Sequence, residues 1–266
     1  MRDFFWAPFL SLFSLNFYRR LQGRSLGSGF LYLGYLSLVV SLWSVLMFRS
    51  FSLPVVNDLV RWLGANLPEM TLTREGVRMA LREPLLLSHP QWGPLLFFDP
   101  TSDVPKPEHL EKAFLVVARR KLVFRNPATA QQQIQDLTPA AGVQRWQDLL
   151  ITGERVTLFW ERIKPFALFL FFVAAGVGTY LWKLLAGLLY SLVALLLNCF
   201  RKERLPYGTL LNVTFFALTP MTLLQLASLQ FPESGLPANL LIALLVTTFY
   251  LILGILGTQK KTGPTT

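Results

Sequence analysis

Cysteine is nearly missing from this chain. Of 266 residues only Cys199 carries a thiol, which excludes an intramolecular disulfide and any multi-cysteine metal site. It closes an apolar run and reads as a small membrane-buried hydrophobe. Histidine is almost as scarce. His89 in LSHPQWG and His109 in KPEHLEKA have no second ligand at a metal-binding spacing, and both are expected on the surface. HExxH, GxSxG, a phosphate-cradling glycine loop with its lysine, and the dinucleotide fingerprint are all missing. Asp99 and Asp103 in FFDPTSDVP come nearest to a catalytic acid pair, but acids in a proline-rich turn ordinarily cap backbone N–H groups. No catalytic, cofactor-binding or metal residue is named, so the expectation is a protein without a cofactor that is not an enzyme.

Charge is sparse too. Only 15% of residues are charged and 53% are hydrophobic, with a mean hydropathy of +0.45, values that point to a membrane protein. The net charge of +10 could suggest nucleic-acid binding, but its location argues otherwise. Between Ser50 and Arg162 stand 13 Lys/Arg against 12 Asp/Glu, so the excess sits in short segments flanking apolar runs. That is the distribution of a positive-inside topology and not of a DNA-binding groove.

What is there, then, is a set of long apolar runs. GFLYLGYLSLVVSLWSVLMF lacks any charge and just crosses the roughly 30 Å hydrocarbon core. YGTLLNVTFFALTPMTLLQLAS and NLLIALLVTTFYLILGILG are nearly as clear. Residues 166–200 are interrupted only by Lys183 and could form one over-long helix or two short ones. Charge parity favours one. With Arg19, Arg20 and Arg24 inside, a single crossing brings Arg201, Lys202 and Arg204 inside as well, together with Lys260 and Lys261.

The expected fold class is a membrane α-helical bundle of four transmembrane helices with an inserted small α+β extracytoplasmic domain. Residues 1–28 form a cytoplasmic or interfacial segment, followed by spans at 29–49, 163–200, 207–229 and 239–257. The outer domain occupies 50–162, the basic loop 201–206, the outer turn 230–238 and the cytoplasmic tail 258–266. The N-terminal segment reads as an interfacial helix, with Phe4, Phe5, Trp6, Phe9, Phe13 and Phe17 immersed and Arg19, Arg20 and Arg24 at anionic head groups. The alternative is a short helix buried against the bundle.

Within the outer domain, PVVNDLVRWLGANLP reads as an amphipathic helix, MTLTREGVRMAL as a hairpin, and GPLLFFDPTSD as a strand stopped by a turn. KAFLVVARRKLVFRNP gives two strands around RRK. LTPAAGVQRWQDLL reads as a helix capped by Thr138. The four spans carry no Asp or Glu, which argues against proton- or sodium-coupled transport through a buried carboxylate. Gly176 and Gly178 permit a bend or close packing. Thr219 and Pro220 mark a kink that could serve as a hinge. Lys183 is expected to snorkel to the interface or into a polar cleft.

Four stretches, FYRRLQGRSLGSGFLYLGYLSLV, LPEMTLTREGVRMALREP, LLFFDPTSD and RKERLPYGTLLNVTFFALTP, together resemble a family of bacterial multi-pass membrane proteins, domain of unknown function 1189. The resemblance runs from about Phe17 to Gly257. That family is grouped distantly with Yip-type membrane proteins, and some relatives carry a maltodextrin-utilisation label. The resemblance implies a cytoplasmic N-terminus and an extracytoplasmic domain after the first span, and it supplies no catalytic residues. The functional expectation is an inner-membrane accessory or scaffold protein, both termini cytoplasmic, whose outer domain binds a membrane or envelope protein or an envelope ligand. The alternative is a component of a transport system for a lipid or small solute. Membrane lipids are expected partners in either case, and nucleic acid is not.

Overall fold

The uncharged run from Leu26 to Met47 is the first long helix of the chain, as its composition requires. In the computed structural model, which describes residues 6–106, 108, 113–125, 131–138, 148–201, 203–228 and 240–258, the chain divides into two units. One is helical, residues 1–48 with 168–266; the other is Arg49–Ala167. Three helical stretches, Leu26–Asn66, Gly153–Cys199 and Tyr207–Ala227, are long and apolar enough to cross a membrane, and Leu241–Gly257 is apolar but shorter. This is a helical membrane-type architecture joined to an α+β part.

The helical unit begins with α1 (Ala7–Phe13), which carries a proline in its first turn, and α2 (Leu15–Arg19), whose Ser14 cap accepts a bond from the Phe17 N–H at 3.3 Å. Then come α3 (Leu26–Met47) and, beyond the insertion, α5 (Gly153–Cys199), α6 (Tyr207–Ala217), α7 (Thr219–Ser228) and α8 (Leu240–Gly257). Helix α6 is the centre, and every residue from Thr209 to Ala217 is buried. Glycines bring its neighbours close, as membrane helices lacking a hydrophobic driving force require. A Cβ at Gly187 of α5 would lie 2.7 Å from Phe215 Cδ1, and one at Gly254 of α8 would lie 2.7 Å from Val213.

Pro220 cannot donate to the carbonyl four residues before it, Phe216. The Thr219 hydroxyl donates there instead at 2.7 Å, and α6 and α7 are separate helices on either side of Leu218. Both Thr219 and Pro220 are buried. Helix α5 runs without a break through Gly176 and Gly178, so residues 163–200 do not form a hairpin. A Cβ at Gly176 would meet Ser41 at about 3.6 Å, whereas Gly178 faces open space. Ser41 itself donates to the Phe172 carbonyl at 2.5 Å.

In the second unit, α4 (Leu53–Asn66) follows a π-helical turn, Phe48–Ser52. A three-stranded sheet in the order β2-β1-β8 is built from β1 (Met70–Thr73), β2 (Gly76–Met79) and β8 (Leu149–Ile151). A five-stranded sheet runs β3 (Leu85–His89), β4 (Gly93–Asp99), β5 (Leu115–Ala118), β6 (Lys121–Arg125), β7 (Gln132–Asp136) in that order. All its pairings are antiparallel except β4 with β5. Met70, Val77, Phe98 and Val117 form the core.

Several expectations need correction. The two units divide between Phe48 and Arg49, close to the expected boundary, but the backbone stays helical across it, through the π-turn into α4. The long helix starts at Gly153 instead of 163, carrying Pro165 inside it. Leu149–Ile151 is strand and not helix, because β1 pairs with it from Met70 to Leu72, and tertiary pairing overrides local propensity. The glutamine-rich QQIQD is a strand as well. The rest of the helix expected after Thr138, the turn at 230–238, Phe4, Phe5, His109, Lys260 and Lys261 lie outside the described residues.

Candidate functional site

Arg19, Arg24 and Arg201, expected at a membrane surface, have structural partners. The last carbonyls of helix α8 lack the donors of a further helical turn, as at every helix end, and two guanidiniums meet them. Arg19 Nε donates to Gly257 O at 3.2 Å, while Arg201 Nη1 donates to Ile255 O at 2.7 Å and to Thr258 Oγ1 at 2.8 Å. Positive charge at a helix C-terminus is also favoured by the helix dipole. Arg24 lies over the Phe17 ring at 6.0 Å, and its backbone carbonyl accepts a bond from Asn212. Arg20 and Arg204 are exposed, and Lys202 lies outside the described residues. The N-terminal segment, the start of the 201–206 loop and the end of α8 therefore meet at one end of the helical unit.

The N-terminal aromatics divide, and Phe17 packs as the alternative of a helix buried against the bundle has it. Trp6, Phe9 and Phe13 are exposed, but Phe17 is buried, edge-on to Phe216 at 5.1 Å. The reason is the cap at Ser14, which breaks the segment and turns α2 onto the bundle beside Tyr18 and Leu21.

Between α5, α7 and α8 lies an apolar groove of about 530 Å³, lined by Trp182, Ala186, Leu189, Met221, Leu244 and others, with Lys183 and Gln225 its chief polar side chains. Lys183 is 6% exposed, and its Nζ donates to Gln225 Oε1 at 2.9 Å. The cleft that holds Lys183 is mainly apolar, its polar part little more than the Lys183–Gln225 pair. Among the described residues no carboxylate pairs with this ammonium.

A family-wide sequence profile described as protein of unknown function, DUF1189, matches residues 5–255. The chain belongs to DUF1189. The match spans both units, so the inserted α+β part is as much a piece of the DUF1189 chain as the helices are. Yip-type kinship does not follow from it. No curated protein and no solved structure matches.

In this DUF1189 chain Asp99 is fully buried at the end of β4. Its carboxylate accepts bonds from Thr101 N at 2.9 Å, Thr101 Oγ1 at 2.5 Å and Ser102 Oγ at 2.7 Å. That is the chemistry of a turn cap. Asp103 instead faces Arg120 at 3.8 Å. Replacing Asp99 with Ala leaves three donors without their acceptor, and a loss of about 1–3 kcal/mol is expected. Thermal unfolding of the full chain, followed by protease resistance of the inserted unit, reads that loss; Asp99→Asn, which keeps one acceptor oxygen, should lose less.

His89 is not a surface residue. It is 4% exposed, stacked on Trp92 at 4.4 Å and edge-on to Trp62 at 5.1 Å. Its Nδ1 accepts the Gln91 N–H at 3.2 Å, and Nε2 faces the Asp58 carboxylate at 3.6 Å. The β3–β4 hairpin, with His89 opposite Gly93, folds Trp92 back over the imidazole. At the far edge of the same sheet, β7 is exposed on both faces along Gln132–Asp136, with Ile134 62% exposed.

Proposed function

We propose that this DUF1189 protein is a non-enzymatic inner-membrane accessory or scaffold protein, both termini cytoplasmic, whose inserted unit stands outside and binds a membrane or envelope protein. The observation that carries this reading is the meeting of Arg19 and Arg201 on the last carbonyls of α8. Three segments that the charge pattern assigns to the cytoplasm share one end, and the positive-inside rule puts such an end in the cytoplasm. Helix α3 starts beside that end, since Asn212 holds the Arg24 and Ser25 carbonyls just before it. One crossing from there delivers the chain outside at the insertion. Edge strand β7 supports the docking role: its unpaired backbone groups can add a partner's strand, and its exposed Ile134 gives that strand an apolar seat.

The test has two readouts on a Cys199→Ser background. In intact spheroplasts an impermeant thiol reagent should label Gln133→Cys and leave Arg204→Cys unlabelled until the membrane is permeabilised. A photo-crosslinking residue at position 133 of the full chain, in its own membranes, should give one discrete adduct with a different envelope or membrane protein, absent with the crosslinker at 204. Labelling of both cysteines in intact spheroplasts overturns the topology. Adducts only with the chain itself, or none, overturn the docking role.

A further inference from the structure

The groove beside Lys183 is a site that the scaffold reading leaves unused. Its walls are hydrocarbon: α5 contributes Trp182 and Leu189, and α8 contributes Leu244, all substantially exposed. These are apolar helices, and in a bilayer the open side of such a groove meets acyl chains. Into this setting the chain puts one cation. Lys183 is 6% exposed, and its one observed partner, Gln225, is neutral. A buried ammonium needs an opposite charge or strong acceptors, and a single amide oxygen leaves two of its three donors for something else.

Charge complementarity and the character of the walls identify the occupant. A small soluble anion would satisfy the ammonium but leave the apolar groove unfilled. A neutral or zwitterionic lipid would fill the groove but bring no net charge to the ammonium. We infer that this groove holds one anionic phospholipid entering from the bilayer, its phosphodiester on Lys183 and an acyl chain along α5 and α8. Gln225 orients the ammonium, while Trp182, largely exposed, lines the groove beside it. A groove of about 530 Å³ lies within the usual range of small-molecule sites.

Trp182 supplies a local probe. The full chain is reconstituted in phosphatidylcholine bilayers doped with phosphatidylglycerol or phosphatidylcholine brominated on the acyl chain, which quenches indole fluorescence on contact. The chain has seven tryptophans, so the same measurement on Trp182→Phe isolates the Trp182 signal by difference. Half-maximal quenching is expected at a mole fraction of brominated phosphatidylglycerol about tenfold below that of brominated phosphatidylcholine, because both offer a phosphodiester to Lys183 but the choline ammonium offsets that charge. Lys183→Arg should keep that preference and Lys183→Met should abolish it. The methionine variant leaves no buried charge behind, and unchanged quenching by brominated phosphatidylcholine verifies that its groove still forms. Equal quenching by the two lipids in the unaltered chain, or a preference that survives Lys183→Met, overturns the proposal. So does relief of the phosphatidylglycerol quenching by millimolar inorganic phosphate, which would make the site one for a free anion.

Discussion

Gly76→Ala is expected to cost the inserted unit about 2–4 kcal/mol, from backbone strain and a steric clash acting together. Gly76 opens β2 at φ +127°, a region that side chains rarely enter. A Cβ there would also collide with the Arg119 carbonyl, which accepts the Val77 N–H at 2.6 Å. That carbonyl has no freedom to withdraw. Arg119 N donates to Ser102 O at 3.1 Å, Arg119 Nε donates to Pro100 O at 2.6 Å, and the neighbouring Arg120 carbonyl accepts from Leu137 N at 2.8 Å. The turn of one sheet is thus clamped onto the turn of the other, and the added methyl works against every bond in the clamp. Gly93→Ala is the control. Its φ is +72° but nothing lies within 4 Å, so only the left-handed conformation is penalised, by about 1 kcal/mol. Melting of the full chain in detergent, with proteolysis sampled along the ramp, should show the inserted unit of Gly76→Ala cut at much lower temperature. If the two variants melted together, the clamp would not be what holds the sheets.

The β1–β2 hairpin around Gly76 was legible in the sequence because alternation and turn chemistry are local. So was the resatisfied carbonyl at Thr219–Pro220, since proline's missing donor and a neighbouring hydroxyl are adjacent in the chain. Strand β7 was not, because QQIQD has one apolar residue and no alternation; it is a strand by pairing with β6. Nor was β8, three residues that exist as strand only opposite β1. The start of α5 was hidden because Gly153–Arg162 carries Glu154, Arg155, Glu161 and Arg162 and reads as part of the outer domain, although the helix runs through it. At the groove, Lys183 stood out as a charge in an apolar helix, but its partner Gln225 did not. Their pairing across 42 positions follows from helix packing, which no local pattern encodes. The same holds for the arginines. Charge placed Arg19 and Arg201 near the helix ends, but only the packed bundle shows which carbonyls they reach.

That packing rests on one aromatic column, and Phe216→Ala should show how much. Phe216 is fully buried in α6, stacked on Tyr32 with ring centroids 4.0 Å apart and edge-on to Phe17 at 5.1 Å. Each contact secures a different element. Tyr32 belongs to α3, and its hydroxyl shares a 2.5 Å hydrogen bond with Thr219 beyond the kink. Phe17 belongs to α2, whose Arg19 reaches the end of α8. In a soluble core such a truncation costs about 3–5 kcal/mol, part of it the transfer of apolar surface from water. Inside a bilayer that part falls away, since lipid is as apolar as the core, and the lost dispersion contacts and the cavity remain. A destabilisation of about 2–3 kcal/mol is therefore expected, larger than for Phe13→Ala, whose side chain is 84% exposed. The loss should also loosen the N-terminal segment, because among the described residues the ring contacts left to Phe17 are Tyr18 and the Arg24 cation. Hydrogen exchange of the full chain in nanodiscs reads both effects, as faster exchange along α6 and in residues 15–23. Protection retained at 15–23 with α6 loosened would mean that Arg19 and Tyr18, and not the aromatic column, hold the segment to the bundle.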